Sequence, residues 1–153
     1  MMVTSGKFRE RKMNKLNTEY LFNTYPKIFI GKDKSIQESL MPFGFECDDG
    51  WFDLINELCR LIVFEMKYNS TSNVEVTQVK EKLGGLRFYY IGGDERIDGA
   101  VAFAERMSYI ICEQCGRRGN FCSFNGSPYG WKKTLCVECG KDTNYLPVGD
   151  EED

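Results

Sequence analysis

The chain has 153 residues, 42% of them hydrophobic and 14% aromatic, which is enough for one compact domain plus a small appended lobe. Its net charge is −3 and it contains no histidine, so triads, dyads and metal sites built on imidazole are excluded, and with them the zinc base-deaminase signature. There is no run of about 18 apolar residues, so no transmembrane helix is expected, and the polar, basic N-terminus lacks the apolar stretch of a signal peptide.

The charge is unevenly spread. Residues 1–34 carry eight basic and three acidic side chains, residues 35–111 seven and thirteen, residues 112–140 four and two, and residues 141–153 one and five. An acidic chain is a poor non-specific duplex binder, because that affinity rests on Lys and Arg neutralising phosphates. The expected organisation is a basic flexible arm over 1–18, an α+β core over 19–111, a zinc ribbon over 112–140 packed on the core, and an acidic tail over 141–153.

In chain order, a short helix is expected over Thr18 to Tyr25, stopped by Pro26. The main helix of the first half follows Cys47 to Gly50, with Asp48 or Asp49 as its cap. Trp51, Leu54, Ile55, Leu58, Leu61 and Ile62 recur at helical spacing and mark its buried face. Asp53 and Glu57 line the opposite face and, with Glu46, Asp48 and Asp49, form an acidic cluster read as a solvated face. Val74 and Val76 begin a strand, and Val79 to Leu83 either continue it or turn at Gly84-Gly85. Leu86 to Ile91 is a strand with Leu86, Phe88 and Tyr90 on one face and Arg87, Tyr89 and Ile91 on the other. The Gly-Gly pair beside Lys80, Lys82 and Arg87 lacks phosphate-loop spacing and reads as a turn. A second helix begins at Asp94 and Glu95, with Ile97, Ala100, Val101, Ala104, Met107, Ser108 and Ile111 inward.

That helix runs almost directly into Cys112-Glu-Gln-Cys115-Gly, answered twenty residues later by Cys136-Val-Glu-Cys139-Gly. Two residues between cysteines let both sulfurs of a pair reach one ion from a tight turn, and two such pairs complete a closed tetrahedral shell. Zinc is favoured over an iron–sulfur cluster or disulfides, and a closed shell makes it structural. Between the pairs, Phe121 to Phe124 and Gly130 to Leu135 read as the strands of a ribbon hairpin around Asn125-Gly126. The fold class expected is therefore α+β: a small antiparallel sheet packed with two main helices, followed by a C-terminal four-cysteine zinc ribbon. The metal ligands are Cys112, Cys115, Cys136 and Cys139. Cys47, Cys59 and Cys122 read as buried or inert thiols, and the odd count beside a zinc pattern points to a reducing interior.

Several stretches together resemble a family of small, uncharacterised zinc-ribbon proteins encoded by tailed bacteriophages and prophages. They are Tyr25-Pro26; Phe43-Gly-Phe-Glu-Cys-Asp-Asp-Gly-Trp-Phe-Asp-Leu-Ile55; Val79-Lys-Glu-Lys-Leu-Gly-Gly-Leu-Arg-Phe-Tyr-Tyr90; and the two cysteine pairs with Gly130-Trp-Lys-Lys-Thr-Leu-Cys136 between them. The resemblance spans about Glu19 to Gly140. It implies a phage source, hence the cytoplasm of an infected bacterium, and an architecture, but no mechanism.

The function expected is non-enzymatic binding of a host or phage protein, as a defence inhibitor or host-enzyme modulator. The acidic middle, the outward strand face and the lack of a catalytic constellation motivate it. The alternative is a nucleic-acid-binding regulator using the basic arm and the ribbon, where Phe121, Phe124, Tyr129 and Trp131 alternate with Arg117, Arg118, Lys132 and Lys133. Candidate contact residues are accordingly Arg87, Tyr89, Arg117, Arg118, Trp131, Lys132 and Lys133. An enzyme would have to use Asp49, Asp53 and Glu57, or Cys47 or Cys59 without the usual histidine base. A small anionic ligand would need a pocket holding both Arg87 and Tyr89.

Overall fold

The computed structural model describes residues 12–149 and is α+β: four helices and two three-stranded sheets among the described residues. No helix among them is long and apolar enough to cross a membrane. Residues 1–11 of the basic arm and 150–153 of the acidic tail lie outside the described residues.

The core starts earlier than residue 19. Met13 is buried, its amide donates to the Phe45 carbonyl at 3.1 Å, and α1 (Lys15–Thr24) is capped by Asn14, whose side chain accepts from the Asn17 amide. A cap only four residues before Thr18 was hidden by the surrounding basic residues. Leu21 is fully buried, and Phe22, Phe29 and Phe45 stack with centroids 5.3–5.4 Å apart.

The first sheet has the order β1-β2-β3, with β1 (Phe45–Glu46) parallel to β2 (Val74–Lys82) and β2 antiparallel to β3 (Gly85–Gly92). It is thus mixed rather than purely antiparallel. Two residues are too short for any periodicity to announce β1. β2 runs through to Lys82 with a bulge between Val76 and Gln78, and turns into β3 through Leu83 and Gly84 alone. Both turn residues have positive φ, +53° and +85°, as a two-residue hairpin matched to strand twist requires. Leu86 and Phe88 are buried; Arg87, Tyr89 and Ile91 lie on the outward face.

α2 (Phe52–Tyr68) buries Ile55, Leu58, Cys59 and Ile62. Leu61, expected inside, is 43% exposed, because at about 100° per residue it lies about 110° from the centre of the stripe made by Ile55, Leu58, Cys59 and Ile62. The expected aspartate cap is also absent: a 3₁₀ turn over Asp49–Trp51 leads into α2 with no side-chain cap. Asp49 instead accepts from the Asn14 amide at 2.9 Å and Asn17 Nδ2 at 3.1 Å, tying α1 to the start of α2. α3 (Glu95–Met107) begins where expected; Asp94 caps it, Oδ1 accepting from the amides of Arg96 and Ile97, and it buries Ile97, Val101 and Ala104.

The second sheet has the order β5-β4-β6, all antiparallel: β4 (Asn120–Phe124), β5 (Lys132–Leu135) and β6 (Tyr145–Pro147). Between β5 and β6 lies α4 (Val137–Thr143). The cysteine-rich lobe therefore extends past Gly140 to Pro147, and the first half of the acidic tail is part of it. Tyr145 is buried there against Phe124, with ring centroids 5.5 Å apart. A three-residue strand ending in proline gave too little alternation to stand out from the acidic run.

Candidate metal centre

The two cysteine pairs meet by different local means. In the first, Cys112 donates its amide to the Arg117 carbonyl at 2.7 Å and accepts from Gly116 at 2.9 Å, closing a tight loop. Gly116 has φ +80°, a conformation in which a side chain is strained, so this glycine is needed for its backbone. In the second, Cys136 caps α4 and its sulfur accepts from the Cys139 amide at 3.4 Å. Gly140 lies within α4 and is needed for space instead: a Cβ there would sit 2.8 Å from the Tyr145 carbonyl oxygen.

The four sulfurs of Cys112, Cys115, Cys136 and Cys139 lie within 4.8 Å of one another, and Cys115 and Cys136 are 3.7 Å apart. A tetrahedron of about 2.3 Å metal–sulfur bonds puts neighbouring sulfurs about 3.8 Å apart, whereas a disulfide needs about 2.05 Å. All seven cysteines are free thiols, so the chemistry of this donor set suits a metal ion. Among the described residues it is the one such grouping of cysteine, aspartate and glutamate; the acidic residues at 46–57 do not converge. The Cys139 amide, bonded to the Cys136 sulfur, lowers the pKa of that thiol, while burial raises those of Cys115 and Cys139, so the cluster titrates as one set.

The cluster is joined to the core by buried polar contacts. Glu113, between the first two cysteines, is 0% exposed. Its carboxylate accepts from the Asp48 amide at 3.1 Å and from Lys133 Nζ at 2.8 Å, and Lys133 also meets Glu81 at 2.6 Å. Gly50 donates its amide to the Glu113 carbonyl at 2.7 Å, and Trp51 Nε1 donates to the Ile111 carbonyl at 2.9 Å. Thr134 Oγ1 donates to the Gly84 carbonyl at 2.7 Å, so the Gly84-Gly85 turn packs on the ribbon. None of Glu81, Glu113, Gly50 or Thr134 carries a local signal for this role. Glu113 reads as spacer between ligands, and its partners are distant in sequence.

The candidate contact residues do not form one surface. Lys133 is only 5% exposed and its charge is matched internally, so it is withdrawn from the outer face of the ribbon. Lys132 Nζ donates to Ser123 Oγ and to the carbonyls of Pro128 and Gly130. Arg117 pairs with Glu138 at 2.9 Å, while Arg118 and Trp131 are exposed. Arg87 turns to the Leu86 carbonyl and the Tyr109 hydroxyl. Tyr89 lines a separate groove of about 380 Å³ with Ile36, Glu38, Leu40 and Gln78, and Arg87 is not in it. Cys47 and Cys59 are fully buried, and burial pushes both thiols well up, which opposes a thiolate nucleophile at either position. Cys122 is buried as well.

Set against protein-family models, curated proteins and solved structures, the chain matches none of them. What the molecule defines by itself is an α+β protein with a four-cysteine cluster suited to a metal ion.

Proposed function

We propose that this is a phage-encoded, non-enzymatic binding protein in which a structural zinc ion holds the C-terminal ribbon and whose partner is a protein of the infected bacterium. The observation that supports it best is the four-cysteine cluster itself. It supplies a full tetrahedral shell from the chain's own sulfurs and is fixed to the core through Glu113, Gly50 and Trp51. A metal so enclosed contributes to folding rather than to turnover, since no coordination position is left for a substrate. Zinc fits because four thiolates in tetrahedral array are its commonest structural shell. The bacteriophage source and the cytoplasmic setting rest on the resemblance given above.

A binding role draws on the surface of the ribbon. Phe121, Phe124, Tyr129, Trp131, Val137, Leu146 and Val148 are all exposed within residues 121–148. Tyr129 and Trp131 are the most exposed of these, and exposed Tyr and Trp are the side chains that most often anchor protein contacts. The nucleic-acid reading keeps Tyr129, Trp131 and Arg118 but loses Lys133, and in part Lys132, to internal partners.

The test is to capture the tagged chain from its native bacterium with and without nuclease, and to measure zinc in the same preparation by elemental analysis. One zinc per chain and a stoichiometric bacterial protein that survives nuclease support the reading. Partners lost on nuclease treatment favour the nucleic-acid reading, and a preparation without metal removes the structural zinc.

A further inference from the structure

The outer edges of β3 and β6 are partly closed to an incoming strand. On β3, the Leu86 amide donates to Ser108 Oγ at 2.9 Å and the Phe88 amide to Glu105 Oε1 at 3.0 Å, so α3 and the turn that follows it already occupy those two donors. On β6, Pro147 has no amide hydrogen and the Tyr145 carbonyl lies against Gly140. At these two edges a partner is held more readily by side chains than by strand addition.

The loop between β4 and β5 is built to present such side chains. Its backbone is bonded throughout: Gly126 to Ser123, Ser127 to Phe124, Gly130 to Ser127, and Phe124 to Trp131, all at 2.9–3.1 Å. Lys132 adds a second tie, its ammonium donating to the carbonyls of Pro128 (2.9 Å) and Gly130 (3.0 Å) and to Ser123 Oγ (3.2 Å). Ser123 Oγ also donates to the Ser127 carbonyl. Yet the large side chains on this ordered loop are not buried by it: Tyr129 is 96% exposed and Trp131 75%. Order without burial is what a preorganised contact surface requires. Tyr and Trp are the side chains that give most contact area for least lost freedom.

Resting on the protein-binding reading above, we infer that Tyr129 and Trp131 form a rigid hook that inserts into an uncharged, apolar cleft on a folded partner protein. Charge complementarity selects that occupant. Residues 125–130 carry no charged side chain, and the lysine next to them points its ammonium inward, so the outer face offers neither phosphate nor carboxylate an ion to pair with.

The experiment uses the full zinc-loaded chain, the variants Tyr129→Ala, Trp131→Ala and Lys132→Met, and Phe103→Ala as an exposed aromatic control on α3. Each bacterial protein retained in the presence of nuclease is identified, purified and titrated against all five, and a twenty-residue oligothymidylate is titrated in parallel. The expected result is a partner whose affinity falls at least about tenfold in Tyr129→Ala and in Trp131→Ala and is unchanged in Phe103→Ala. Lys132→Met is expected to weaken binding with both aromatics intact. The affinity should change little between about 0.1 and about 0.5 M NaCl. A partner bound equally by the alanine variants overturns the hook while leaving the protein-binding reading in place. Salt-sensitive binding of the oligonucleotide alone, or no retained protein, overturns both. Unchanged circular dichroism and zinc content in Trp131→Ala exclude unfolding as the cause of any loss.

Discussion

Lys133 and Glu113 meet at 2.8 Å in the interior, one on the strand leading into the second cysteine pair and the other between the cysteines of the first. Glu81 on β2 closes the group at 2.6 Å from the same ammonium. Burying three charges is costly, and the arrangement is sustained only while each finds its partner. Lys133→Met removes the ammonium that both carboxylates meet. It is expected to destabilise the zinc-loaded protein by about 3–5 kcal/mol in urea unfolding. A Lys133→Met change that costs no more than an exposed lysine elsewhere would show that the group does not hold the ribbon to the core.

Two glycines give opposite outcomes for one substitution. A Cβ at Gly50 would lie 2.2 Å from the Cys112 carbonyl oxygen and 2.4 Å from that of Glu113, both backbone atoms that cannot step aside without moving the first cysteine pair. Gly50→Ala is expected to lower both Tm and zinc affinity. Gly99, inside α3, has no atom within 4 Å of such a Cβ. Gly99→Ala is expected to raise stability by about 0.5–1 kcal/mol, as alanine does in an unobstructed helix. Thermal unfolding of the two variants beside the parent decides both.

Leu83 stands at the first position of a two-residue hairpin with φ +53° and is 62% exposed. A leucine in the left-handed region is disfavoured by about 1–2 kcal/mol, whereas asparagine tolerates it. Leu83→Asn is expected to stabilise the protein by up to about 1 kcal/mol. Unchanged or lower stability in chemical denaturation would show that Leu83 makes a contact worth more than the strain.

Cys47 and Cys59 are buried among core side chains with thiols pushed up by loss of solvent. Because the thiolate is the reactive form, both are expected to resist alkylation at pH 8 in the native, zinc-loaded protein and to react on unfolding. Mass mapping after iodoacetamide treatment reads this directly. Native-state labelling of Cys59 at the rate of a free thiol would place it at the surface of an opening cleft.

Elements with a strong local period were legible in the sequence. α3 starts at its acidic residues and buries its Ile97, Val101 and Ala104 stripe, and β3 alternates as its residues suggest. The four cysteines converge as their spacing suggested. The parts that were not legible depend on distant partners. Asp49 reads as a helix cap and instead binds Asn14 and Asn17, more than thirty residues earlier. Lys133 reads as a surface cation, since nothing within a few residues of it shows Glu81 or Glu113 waiting in the fold. β1 and β6 are too short to carry a pattern, and they form because an edge was available to pair with.

The central claim is that a metal in the four-cysteine cluster holds the ribbon together and, through Glu113, the turn that leads into α2. The most direct measurement is amide hydrogen exchange of the zinc-loaded chain before and after a strong zinc chelator, with the metal released counted by elemental analysis. The account predicts one zinc released per chain and lost protection across Cys112 to Pro147. It also predicts faster exchange at Gly50, whose amide donates to the Glu113 carbonyl. Protection unchanged throughout after complete metal release, or a purified chain holding no metal while fully folded, would contradict it.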